Sequence, residues 1–194
     1  MRAVWTLISA ITLFGCGDNS YTYMDLREQI YLVPRKSFWD GCEQDPRGYQ
    51  ACRHWRIGSV YRGVNEWFKY FDKESQPQVV VVDSILDIPW YAKNKPIYLS
   101  VDKNFCKKAL GFDCEACYYY SWHHRKEIKI VFVSANTIDL FMDHEFGHAL
   151  GRNDNDVPEG TISIMSYSNP GPVSLPDVAM VCQKHRECQL RREK

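Results

Sequence analysis

The sequence predicts one α+β domain. Three observations lead there: a helical stripe of apolar residues that starts at Ile57, three short β-branched runs beyond it, and a second helical pattern that Gly151 closes. Helices and strands follow in irregular order through 194 residues, a length that suits a single core.

Ile30 to Val33 is a first, short strand candidate, which Pro34 either stops or confines to a sheet edge. Asp40 to Gln50 is polar and holds Gly41, Pro46 and Gly48, so it reads as a loop. Ile57, Val60, Tyr61, Val64, Trp67, Phe68 and Phe71 then recur with helical spacing, opposite Arg62, Asn65, Glu66, Lys69 and Lys73. Pro77 closes that helix. Val79 to Val82 reads as a buried strand, and Ile97 to Val101 and Ile128 to Ser134 as two more. A helix follows from Asn136 or Thr137 to Leu150, with Asn136 as N-cap, Asp139 in the first turn and Gly151 as the left-handed stop. Pro158, Gly160, Pro170, Gly171 and Pro172 break the next stretch. Ser174 caps a last helix, with Pro176 in its first turn, through Val181.

Twenty-four basic and 24 acidic residues cancel, which removes the electrostatic case for nucleic-acid binding. The apolar stretch from Ala3 to Phe14 follows Arg2 and falls short of the roughly 20 residues of a membrane span, so it has the shape of a secretory signal. Leu13-Phe14-Gly15-Cys16 resembles the lipobox of bacterial lipoproteins. That resemblance implies a signal peptide over 1–15, lipid on the Cys16 sulfur and a tether over 16–27, which leaves 28–194 as the single folded domain. Gly17 after the cysteine implies the outer membrane of a Gram-negative envelope, facing periplasm or surface. The alternative is ordinary secretion.

Eight cysteines suit an exported protein. Cys42 with Cys52, and Cys106 with Cys114 or Cys117, are plausible local disulfides. Cys182 and Cys188 on one continuous helix would stand about 9 Å apart along its axis, beyond disulfide reach. Either the helix stops between them or each pairs elsewhere. Cys114-Glu115-Ala116-Cys117 is a CxxC without the helix that redox chemistry wants, and Cys106, Cys114, Cys117 with His123 or His124 is a weaker zinc alternative.

The chemistry sits in His144-Glu145-Phe146-Gly147-His148. Histidines four apart on a helix share a face and can reach one ion. Ile138, Phe141, Met142, Phe146 and Ala149 occupy the core arc, which leaves His144 and His148 beside it, towards a cleft. Glu145 is adjacent to both and can take a proton from an activated water. Gly147 costs about 1 kcal/mol inside a helix relative to Ala. Close approach of substrate or another backbone would account for it.

The string His144-Glu145-x-x-His148-x-x-Gly151-x-x-Asp154 resembles the metzincin metalloproteases, with the snapalysin-like aspartate as third ligand. Ser163-Ile164-Met165-Ser166-Tyr167 resembles the Met-turn of that clan. The resemblance implies a small twisted mixed sheet with an N-terminal helix, an active-site helix, a Met-turn and a C-terminal helix. It implies one zinc ion on His144, His148 and Asp154, Glu145 as general base, Gly151 and Met165 as structural supports, and Tyr167 as oxyanion stabiliser. The activity implied is cleavage of protein or peptide substrates by a monomer. Asp156 and Glu159 are rivals to Asp154, and Arg152 to Asp156 also reads as a solvated turn. No residue pattern supports a calcium ion, since the EF-hand spacing is missing. Substrate is expected as an added strand on a sheet edge, with Ile97 to Val101 as the candidate. His54, His123, His124 and His185 carry no ligand spacing and read as surface or partly buried. Residues 17–56 could contain a latency segment using Cys42. Competing readings are an inactive binding or structural lipoprotein of the same fold, and a redox module on Cys114 and Cys117.

Overall fold

The computed structural model describes residues 24–102, 104, 107–108, 116–121, 125–130, 137–158, 160–166 and 171–190. Five strands form one sheet: β1 (Ile30–Pro34), β2 (Val79–Val81), β3 (Ile97–Val101), β4 (Ala116–Ser121) and β5 (Arg125–Ile130). Their order is β2-β1-β3-β5-β4. All neighbours run parallel except β4, which pairs antiparallel with β5. The described α-helices are α1 (Tyr49–Phe68), α2 (Thr137–Ala149) and α3 (Leu175–Lys184). The sheet is therefore mixed and the domain α+β, as the sequence predicts.

Alternation builds the core face. Register sets Leu32 opposite Ile97, and Leu99, Ile128 and Tyr118 side by side across β3, β5 and β4. Leu32, Ile97, Leu99 and Ile128 are wholly buried. Val60, Val64 and Trp67 of α1 and Ile138, Met142 and Phe146 of α2 complete the same cluster. Each such side chain contributes roughly 1.5–3 kcal/mol on burial. Phe68 of α1 meets Phe146 of α2 edge to face at 6.0 Å where the two helices pack.

Several expectations change. The Ile97–Val101 strand is not a sheet edge: β3 lies between β1 and β5 and pairs with both. Its apolar run reflects burial in the centre of the sheet. The edges among the described strands are β2 and β4. Val79–Val81, expected to be buried, is half-buried because it is such an edge. Pro34 ends an interior strand and does not mark an edge. Met24 and Leu26, within the expected 16–27 tether, are buried in the core. Helix α1 begins earlier than its apolar stripe, at Tyr49 after Gly48 with φ 90°, and stops well before Pro77. The Cys42–Cys52 disulfide ties its first turn to the preceding 3-10 turn Cys42–Gln44. Buried Arg56 donates to the carbonyls of Phe38 and Asp40 from the next turn.

β4 has no counterpart in the sequence reading. Its three consecutive tyrosines, a strand-favouring type, were the available signal. β5 begins at Arg125; residues 131–134 of the expected strand and the Asn136 cap lie outside the described residues. Helix α3 extends to Lys184, with Ser174 and Asp177 forming a reciprocal cap. It ends before Cys188, so Cys182 and Cys188 pair with Cα atoms 4.8 Å apart. No helix among the described residues is long and apolar enough to cross a membrane.

Candidate metal centre

Helix α2 carries His144 and His148 on successive turns, and the chain after it returns to them. Gly151 has φ 88°, and the Gly151 N–H donates to His148 O and the Arg152 N–H to Gly147 O, both at 2.9 Å. This is a Schellman ending, which needs a left-handed residue at that point. The reversal leads into a 3-10 turn, Asp154–Asp156, and presents Asp154 to the two imidazoles.

The three side chains converge. His144 Nε2 and His148 Nε2 lie 3.1 Å apart, and Asp154 Oδ1 is 3.3 Å from the first and 3.5 Å from the second. Donor atoms around a tetrahedral ion with bonds of about 2.0–2.1 Å are separated by about 3.3–3.4 Å. This trio could hold a metal ion.

Backbone carbonyls set the tautomers. His144 Nδ1–H donates to Ile164 O at 2.7 Å, and His148 Nδ1–H donates to Arg152 O at 2.9 Å. Each proton on Nδ1 leaves a lone pair on Nε2. Two imidazole lone pairs and a carboxylate oxygen then face one another, an arrangement that a central cation stabilises. Burial pushes His148 down to about 3, helped by the neighbouring His144, and burial also lowers His144. Both are thus neutral at pH 7, the form that ligates metal.

Glu145 is buried, and its carboxyl is pushed up to about 8 by desolvation; the backbone N–H of Tyr118 pulls it down, and the charge of Asp154 adds to the rise. Its Oε2 makes no hydrogen bond among the described residues. The Tyr118 contact puts the edge strand β4 against the glutamate, so α2 and β4 flank the site.

Met165 lies under α2, wholly buried. A Cβ on Gly147 would come within 2.5 Å of both Met165 Sδ and Trp67 Cζ2. Gly147 is therefore required by two side chains packed beneath the helix, and not by substrate or another backbone. Trp67 is fixed there by donating its indole N–H to Asp143 O at 2.7 Å.

The sequence reading missed a second layer. Arg152 is 1% exposed, which rules out a solvated turn at that residue. Its guanidinium reaches Asp156 Oδ2 at 3.3 Å and Asp177 Oδ1 at 3.4 Å. Asp177 also accepts from the Ser163 hydroxyl and from the Ser174 N–H and hydroxyl. Ser163 Oγ in turn accepts from the Met165 N–H at 3.1 Å. One buried carboxylate thus ties the Met165 turn, the start of α3 and Arg152 together. Asp156, a rival ligand, is engaged by Arg152, Lys184 and the Asn153 N–H instead.

Glu159, Tyr167, Cys16, Cys106, Cys114, His123 and His124 lie outside the described residues. Cys117 is disulfide-bonded, which removes it from a zinc site or a free dithiol. Cys42 is committed to Cys52 and cannot ligate an ion in this form. His54 is exposed, and His185, expected at or near the surface, is buried against Leu150 O at 3.1 Å. Compared with known proteins, the chain matches no family model and no curated protein.

Proposed function

We propose that this protein is a zinc-dependent metalloendopeptidase of metzincin type, exported and held at a bacterial envelope by lipid on Cys16. The observation that carries the reading is the convergence of His144 Nε2, His148 Nε2 and Asp154 Oδ1 within 3.5 Å, with both Nδ1 protons committed to carbonyls. Those three residues would hold the ion. Zinc bound there supplies Lewis acidity, which lowers the pKa of a water towards about 7 and polarises a carbonyl.

The remaining work falls to the chain. Glu145 receives a proton from the attacking water and delivers it to the leaving amine nitrogen. Burial raises its pKa, and a nearby cation would pull that pKa down towards the carboxylate form that a base needs. Strand β4, paired only with β5 among the described strands and touching Glu145 through Tyr118, offers backbone groups along which an extended peptide can align. Met165 and Trp67 support α2 from below and keep the two imidazoles in register. Tyr167, by the Met-turn resemblance, donates to the developing oxyanion.

Metal analysis of the purified protein, followed by peptide cleavage with and without a chelator and with Glu145→Gln, tests the reading. One zinc per chain, chelator-sensitive cleavage and an inactive Glu145→Gln that keeps its zinc are expected. Cleavage indifferent to chelation rules the proposal out. Zinc binding without cleavage in the wild type leaves the inactive binding module.

A further inference from the structure

The loop after β2 presents its largest apolar side chains to solvent. Leu86 is 89% exposed, Trp90 95% and Tyr91 70%, with Ile85 half exposed beside them. This presentation is built. Ser84 caps the turn by accepting from the Leu86 N–H at 3.2 Å, and Asp87 accepts from the Ser84 N–H at 3.0 Å. The Ala92 N–H donates to Pro89 O at 2.9 Å, and Trp90 and Tyr91 meet edge to face at 5.7 Å. A held cluster of exposed aliphatic and aromatic groups marks a contact surface.

The loop is fastened to the beginning of the fold. Buried Asn94, three residues past Tyr91, accepts from the Asp25 N–H at 2.9 Å and donates to Asp25 O at 2.8 Å. Lys93 also pairs with Glu28. Seven residues lie between Cys16 and Met24, and the eight steps of chain reach at most roughly 26–29 Å when extended. A lipid on Cys16 would therefore keep this loop near the bilayer.

We propose that the loop 85–91 docks on the lipid bilayer surface, seating Leu86, Trp90 and Tyr91 at the boundary between headgroups and acyl chains. The proposal rests on the reading of Cys16 as the membrane anchor. Trp and Tyr favour that boundary because their rings are apolar at one end and polar at the other. Flanking Lys95, exposed beside the loop, suits headgroup depth. An anchor limits distance but not orientation, and a second apolar contact sets which face meets the membrane. The loop leaves β2, four strand spacings from β4, or about 19 Å across the sheet. Docking at β2 leaves the β4 side of the candidate site open to substrate.

The test uses the full chain, exported from a bacterial host and mixed with vesicles of phosphatidylethanolamine and phosphatidylglycerol. Mass spectrometry reads lipid on Cys16, flotation reads vesicle binding, and hydroxyl-radical oxidation reads Ile85 and each tryptophan. Severalfold slower oxidation of Trp90 in floated protein, with Trp55 on α1 unchanged, is expected. A Leu86→Ser/Trp90→Ser/Tyr91→Ser variant, altered only at exposed positions, should keep its fold and its peptidase activity on a soluble peptide. It should also lose protection at Ile85. Lipid on Cys16 with Trp90 oxidised as fast in floated as in free protein overturns this inference alone. Absence of lipid on Cys16 overturns the anchor reading whatever Trp90 does, and unlipidated protein that does not float overturns both. Trp90 protection that appears without vesicles and grows with protein concentration assigns the loop to a second copy of the chain and overturns the membrane contact.

Discussion

Asp177→Ala should disable the candidate site from a distance. Asp177 is 3% exposed and Arg152 1%, and the two face each other at 3.4 Å. Removing one member of a buried pair costs about 3–5 kcal/mol, because the other charge stays desolvated. Asp156 still faces Arg152 at 3.3 Å, which places the pair loss near the lower end. Loss of the carboxylate also removes half of the reciprocal cap on α3, about 0.5–1 kcal/mol. The sum is about 3–4 kcal/mol. With a urea slope of about 2 kcal/mol/M for a chain of this size, the unfolding midpoint should fall by about 1.5–2 M. Zinc affinity should fall about 10- to 100-fold as well, since Ser163 loses its acceptor in the turn whose Ile164 carbonyl orients His144. Asp177→Asn keeps an acceptor and the side-chain shape, and should cost about half as much. Urea titrations of the metal-free protein and competitive zinc titrations read both effects. A loss below about 1 kcal/mol with unchanged zinc affinity would refute the hub role of Asp177.

Three further outcomes are expected. Gly147→Ala forces a methyl against Met165 and Trp67, so overpacking of about 1–3 kcal/mol should outweigh the helix gain of about 1 kcal/mol. The same change made in a Met165→Ala background should cost less, and additive costs in a double-mutant cycle would argue against the contact. Gly151→Ala must hold φ near 88°, at a cost of about 1–2 kcal/mol. It should weaken zinc binding more than an exposed glycine change such as Gly160→Ala, and equal effects would show that the Schellman turn does not position Asp154. In the metal-free protein, Glu145 keeps its proton in the fold to about pH 8, whereas the unfolded chain loses it near 4.5. The fold then binds the extra proton, so its contribution to stability is full below about 4.5 and declines as pH rises towards 8. Glu145→Gln should flatten that decline in urea midpoints measured across the window; identical slopes in the two proteins would contradict it.

What the sequence by itself determined is what one stretch of chain can enforce. His144, His148, Gly151 and Asp154 fall within eleven residues, and helical periodicity plus one left-handed glycine is enough to bring their donor atoms together. The apolar arc of α2 and the Ser174 cap of α3 were legible for the same reason: their partners are three or four residues away. Tertiary structure alone decided the rest. Apolar runs do not reveal their neighbours, so the Ile97–Val101 strand became the sheet's centre and β4 its edge. Gly147 answers to Trp67 from another helix, and Arg152 to Asp177, 25 residues on. Those contacts arise where separate elements fill a common volume, and spacing along the chain carries no record of distances set by close packing.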